Sequence, residues 1–163
     1  MARRCYRIWN TATGGLTAAP AFVATGTSLK TMLQVKPLDH APIIGYGWRF
    51  ETDPVGSLKL EVLTTGTINA TVTASVAGDI VNFDPLGPAS TLTLATSGTG
   101  YTSSGEGSIV STRLFDVRSV AARDMDIQFP LDREYACGPA HYLRMRVTAA
   151  NTINMLCYFD IEL

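Results

Sequence analysis

Two histidines and three cysteines are the residues of this 163-residue chain best suited to metal or nucleophilic chemistry. A metal centre needs several ligands converging on one point. Cys137 and His141 share a Cys-Gly-Pro-Ala-His spacing, but no second such pair accompanies them. That spacing predicts a turn cysteine and a histidine leading into a strand rather than a zinc site. Asp39 and His40 could form the orienting half of a catalytic triad, yet no Gly-x-Ser-x-Gly elbow presents a nucleophile. Asp124, Asp126 and Asp132 could gather oxygen ligands for calcium, but without a calcium-loop motif they read as a solvated loop around a strand. Ser104-Gly-Glu-Gly-Ser108 is glycine-rich like a phosphate loop, and lacks the Gly-Lys-Ser/Thr ending and the strand-to-helix context. Asn69-Ala-Thr71 matches a glycosylation sequon, a match common by chance. With two histidines far apart in the chain, a metal-dependent isomerase of the cupin type is disfavoured as well. The expectation is a protein that is not an enzyme, with no metal and no cofactor.

The remaining chemistry is that of surfaces. Trp9, Tyr46, Trp48 and Phe50 could stack on bases or sugars, but the regular spacing of the last three fits core packing better. Arg3, Arg4 and Arg7 crowd one end and could meet an acidic partner. Arginine greatly outnumbers lysine, which occurs only at Lys30, Lys36 and Lys59, and arginine is favoured at protein interfaces. The net charge is −1, which gives no support to a general nucleic-acid or anionic-membrane role. Charged residues make up 17% of the chain against 46% hydrophobic, a low charge density that fits surface covered by other protein and equally an all-β domain whose exposed faces use Thr and Ser. The three dispersed cysteines do not form a disulfide framework and fit assembly in a reducing compartment. No apolar stretch of signal-peptide character follows the basic start, and none approaches transmembrane length.

The elements that must carry these residues are almost all strands. Ile153, Met155, Cys157, Phe159, Ile161 and Leu163 alternate with Asn154, Leu156, Tyr158, Asp160 and Glu162, the period of a strand with one buried face. Ile43–Glu51 places Ile44, Tyr46, Trp48 and Phe50 on one side and Gly45 and Gly47 on the other, where a neighbouring backbone or ring can come close. Further strands are expected at Arg4–Trp9, Leu29–Lys36, Leu58–Val62 with Lys59 and Glu61 on its wet side, Ile68–Val76, Ile80–Phe83, Thr91–Ala95, Ser108–Phe115, Asp126–Phe129 and Tyr142–Thr148. Arg118–Arg123 is the best candidate for a helical turn, Cys137–Pro139 for a turn, and Thr96–Gly107 for a Ser/Thr/Gly loop. About eight to ten strands punctuated by regular turns predict an all-β antiparallel sandwich or jelly roll. Residues 1–27 read as an N-terminal arm with a first short strand, and 28–163 as the sandwich domain.

The order of motifs carries a resemblance. Lys30-Thr-Met-Leu-Gln-Val35 is followed by Gly45-Tyr-Gly-Trp-Arg-Phe50, then Gly100-Tyr-Thr-Ser-Ser-Gly-Glu-Gly-Ser-Ile109, Arg113-Leu-Phe-Asp116, and Tyr142-Leu-Arg-Met-Arg-Val147 with the closing strand. From about Ser28 to Leu163 this resembles a family of small β-sandwich virion proteins of actinobacterial tailed phages and prophages. That family's closing segment is usually richer in tryptophan, where Tyr158 and Phe159 stand here. The arm has no matching counterpart.

The resemblance implies a jelly-roll head decoration protein, a homotrimer made in the host cytoplasm. It would sit on the capsid exterior and cement the lattice of the major capsid protein. Arg3, Arg4, Tyr6, Arg7 and Trp9 are the expected capsid contacts, because arginine and aromatics are the usual interface anchors. Replacing the three arginines together is expected to weaken attachment without unfolding the sandwich. The alternative is a tail-tip or fibre module binding a host surface glycan, with Thr99, Tyr101, Ser103 and Glu106 as the recognition loop.

Overall fold

The computed structural model describes residues 4–11, 20–67, 70–99 and 111–163. They form β1 (Cys5–Trp9), β2 (Val23–Ala24), β3 (Lys30–Val35), β4 (Ala41–Phe50), β5 (Leu58–Thr65), β6 (Thr73–Ala74), β7 (Ile80–Asn82), β8 (Gly98–Thr99), β9 (Ser111–Ser119), β10 (Asp124–Gln128), β11 (Tyr135–Cys137), β12 (Tyr142–Ala149) and β13 (Asn154–Glu162). Two antiparallel sheets result. The first runs β10-β4-β13-β1-β7, with β11 also on β4 and β2 also on β13; the second runs β6-β8-β3-β12-β5-β9. The chain is an all-β sandwich.

The core lies between the sheets. Met155, Cys157, Phe159 and Ile161 of β13 point into it, as alternation predicts, and meet Leu33, Val62, Met145 and Val147 of the second sheet within one cluster. Tyr46, Trp48 and Phe50 also point inward, so their spacing does serve packing. The expected inward Ile44 does not. The register between β4 and β13 slips between Asp160 and Ile161, so Ile161 faces Ile43 and the fully buried residue there is Ile43. A bulge reverses which residue of an alternating pair faces the core.

Several expected elements take other forms. Within the expected strand Ile68–Val76, the described residues form only the two-residue β6. Gln34 supplies the reason: its side-chain amide accepts from the Ala70 amide (3.0 Å) and donates to the Ala70 carbonyl (3.3 Å), replacing a partner strand. The expected Thr91–Ala95 strand is a 3-10 turn at Leu94–Thr96. Arg118–Arg123 is not helical, because β9 continues to Ser119 and Val120 still donates to the Leu58 carbonyl (2.9 Å). The expected turn at Cys137 begins one residue later, since Cys137 closes β11. Glu61, expected in solvent, is 8% exposed and lies between Lys59 (2.8 Å) and Arg146 (3.3 Å). The boundary expected at residue 28 separates no structural unit, because β1 and β2 belong to the first sheet.

A polar tie joins the layers at one margin. The Tyr46 hydroxyl of β4 donates to Asp116 of β9, and Arg118 Nε donates to the same carboxylate oxygen at 2.6 Å. Burial pushes the Asp116 carboxyl up, but the bonds from Tyr46 and Arg118 outweigh it and hold the carboxyl below its ordinary value.

Two of the three free cysteines are buried. Burial pushes the Cys137 thiol up to about 12, against a smaller opposing effect of Lys36, and pushes Cys157 up as well. In the unfolded chain a thiol ionises near ~8.5. The unfolded state therefore releases protons first as pH rises, so stability complete below ~8.5 is lost progressively toward the folded value. Thermal melts at pH 8.0 and 9.5 are expected to differ by several degrees, the higher pH melting lower. Cys137→Ala should make that slope shallower and leave the part that Cys157 contributes.

Candidate interaction surface

β1 alternates as β13 does. Tyr6 and Ile8 are core residues, at 2% and 0% exposure, which leaves Cys5, Arg7 and Trp9 on the outer face of the first sheet. Arg7 pairs in register with Asp160 on one side and Val81 on the other. Its guanidinium grips the Asp160 carboxylate as a fork, Nε to Oδ1 and Nη2 to Oδ2, both at 2.7 Å. Such two-point pairing fixes orientation as well as charge. The hydrogen bond to Asp160, opposed in part by burial, raises the Arg7 pKa still further.

Aromatic rings close around that pair. The Arg7 guanidinium carbon sits 3.8 Å from the Tyr158 ring centroid, 5.5 Å from Trp9 and 5.6 Å from Phe83, all within cation–π range. Trp9 tilts against Tyr158 with centroids 5.0 Å apart. Tyr158 stretches across Gly47 to donate to Asp126 Oδ1 at 2.6 Å; Gly47 stands opposite both residues in the ladder. A Cβ at Gly47 would lie 2.6–2.7 Å from Tyr158 Cε1, Tyr158 Oη and Asp126 Oδ1, so glycine is the residue that leaves this path open. Burial, with the Asp126 hydrogen bond, pushes the Tyr158 phenol well above its ordinary value, so it stays a donor.

Beside this cluster the sheet ends in an apolar rim. Among the described residues β7 is one edge strand of the sheet, and Val81, Phe83 and Leu86 are 40%, 50% and 95% exposed. Leu86 is not on a loose tip. Asp84 Oδ1 accepts from the Leu86 amide (3.0 Å), the Asp84 carbonyl accepts from the Gly87 amide (2.9 Å), and Asn82 clasps the Asp84 amide (3.0 Å) and the Pro88 carbonyl (2.9 Å). The Tyr6 hydroxyl also donates to the Pro88 carbonyl (3.0 Å). The loop thus holds a leucine in water, against the hydrophobic effect, by satisfied polar bonds. Between this loop and Arg4 and Cys5 lies a groove of about 440 Å³.

The five expected contact residues separate accordingly. Arg4, Arg7 and Trp9 meet on this surface or its groove. Tyr6 turns inward and braces the loop from below, so it is a core residue rather than a contact; strand alternation forces this once Arg7 faces out. Arg3 lies outside the described residues, as do Tyr101, Ser103 and Glu106 of the alternative loop, while Thr99 lies on β8. Of the three aspartates, Asp124 faces Arg49 (3.5 Å) and Asp126 holds Tyr158. No group of three or more metal-ligating side chains occurs among the described residues. Sequence reasoning missed Phe83, Leu86, Tyr158 and Asp160. Phe83 and Leu86 carried a usable signal, being apolar residues inside an Asn-Phe-Asp-Pro-Leu-Gly-Pro turn that cannot bury them.

No protein-family model, curated protein or solved structure matches this chain.

Proposed function

We propose that this chain is a virion structural protein, a head decoration protein that binds the outside of the major capsid protein lattice. The motif order of residues 28–163 suggests the class, and the surface around Arg7, Phe83 and Leu86 suggests the contact. The single observation that carries the reading is Leu86, 95% exposed on a loop whose polar groups are satisfied. An exposed apolar side chain on a hydrogen-bonded loop, sharing its groove with Arg4 and Phe83, has the composition of a protein-binding anchor. A rigid sandwich suits this task, since preorganised groups lose little freedom on binding. A protein that binds only the assembled shell stabilises the shell by mass action. The trimer implied by the resemblance forms part of the same proposal.

The test is to add purified protein to heads that lack it. Saturation at a fixed stoichiometry is expected, with about tenfold or greater weakening in Phe83→Ser/Leu86→Ser, the scale of lost apolar anchors. The melting temperature of that exposed-site variant should stay within a few degrees. Binding to whole host cells with none to heads would reject the decoration role in favour of glycan recognition.

A further inference from the structure

The two histidines, 101 positions apart in the chain (141 − 40), reach the same pocket. It has a volume of about 340 Å³ and opens at one end of the sandwich, among the connection into β4, the ends of β5 and β9, and the turn between β11 and β12. His40, His141, Arg113 and Thr64 line it with the small residues Ala136 and Gly138. We propose that this pocket binds an oxyanion through Arg113 and the two imidazoles.

The lining chemistry selects the ligand class. Arg113 carries a permanent charge and five N–H donors, and each imidazole adds a ring N–H. The described lining residues include no carboxylate. Asp39 adjoins His40 in sequence, while Lys36 holds the turn that carries Gly138 and His141, its ammonium on the Pro139 carbonyl and 4.8 Å from the Tyr142 ring centroid. The Thr64 hydroxyl is shared with Thr112 (3.1 Å), which fixes that wall. Two imidazoles alone would also suit a transition metal. Here a guanidinium shares the pocket and repels a cation, and no third ligand completes a metal set among the described residues. A water occupies ~30 Å³ of liquid, so the space holds an oxyanion together with bridging waters. Alanine and glycine at 136 and 138 keep that space open.

Because the chain has only two histidines, their imidazole NMR signals report the pocket directly. The full chain is titrated with inorganic phosphate, with acetate, and with sodium chloride at matched ionic strength, and separately with zinc. Saturable movement of both signals by phosphate or acetate, absent with chloride, is expected; the two arms distinguish a tetrahedral from a planar oxyanion. Arg113→Ala should weaken that binding about tenfold, the scale of one charge-assisted hydrogen bond, and Arg113→Lys should restore part of it. Arg113 is exposed, so the fold should survive both changes, checked by unchanged melting. Signals that move equally with chloride, that ignore both oxyanions, or that respond to zinc alone would overturn the proposal. Head attachment is not a readout here, so this outcome is independent of the decoration role.

Discussion

A chain lacking residues 1–9 is expected not to fold. β1 lies between β13 and β7, so its removal strips hydrogen bonds from both neighbours and opens the core over Phe159 and Ile161. Burying side chains such as Ile8 and Tyr6 contributes ~1.5–3 kcal/mol each. Adding the lost ladder and the lost Arg7 pair makes a deficit comparable to the ~5–15 kcal/mol stability of a whole domain. Asn10 extends the same seam: its side chain donates to the Met155 carbonyl (3.2 Å) and accepts from the Cys157 amide (2.7 Å). Circular dichroism and thermal melting of residues 10–163 should show no cooperative native transition. A melt within a few degrees of the full chain would mean that the segment is an appendage after all.

The second large effect is at Arg7. Asp160 is 5% exposed at its side chain and Arg7 29%. Arg7→Ala leaves a nearly buried carboxylate without its fork, and a loss of about 2–4 kcal/mol is expected, somewhat below the ~3–5 kcal/mol of a wholly buried pair. The double variant Arg7→Ala/Asp160→Ala should recover part of that loss, because the stranded charge is gone. Chemical denaturation of the two single variants and the double variant measures the coupling. Additive losses would show that the pair contributes nothing as a pair. Replacing Arg3, Arg4 and Arg7 together therefore cannot leave the fold untouched, as arginine type alone suggested; the Phe83→Ser/Leu86→Ser variant is the one expected to separate the proposed attachment from folding.

The strands that alternate strictly were legible. β12, β13 and the inward residues of β4 from Tyr46 to Phe50 follow from period two alone. Where a bulge intervenes, as at Ile43 and Ile44, alternation misassigns the face, because one extra residue is invisible in a hydrophobic pattern. The stretch before Val76 failed for another reason. Its apolar alternation was real, but the Gln34 side chain met its backbone where a strand would otherwise pair.

The surface was half legible. Arginine and tryptophan type pointed to Arg4, Arg7 and Trp9. Type could not show that Tyr6 faces the other way, nor that Asp160, 153 positions from Arg7, stands opposite it. The two histidines failed for the same reason: separation in sequence says nothing about separation across a sandwich whose strand order is non-sequential.

The most direct measurement is a density map of the head with the protein attached. The β1–β7–β13 outer face is expected to turn to the lattice, with Phe83 and Leu86 buried against the major capsid protein. A map that places this face in solvent while another surface makes the contact, or that finds no copy on the head, would contradict it.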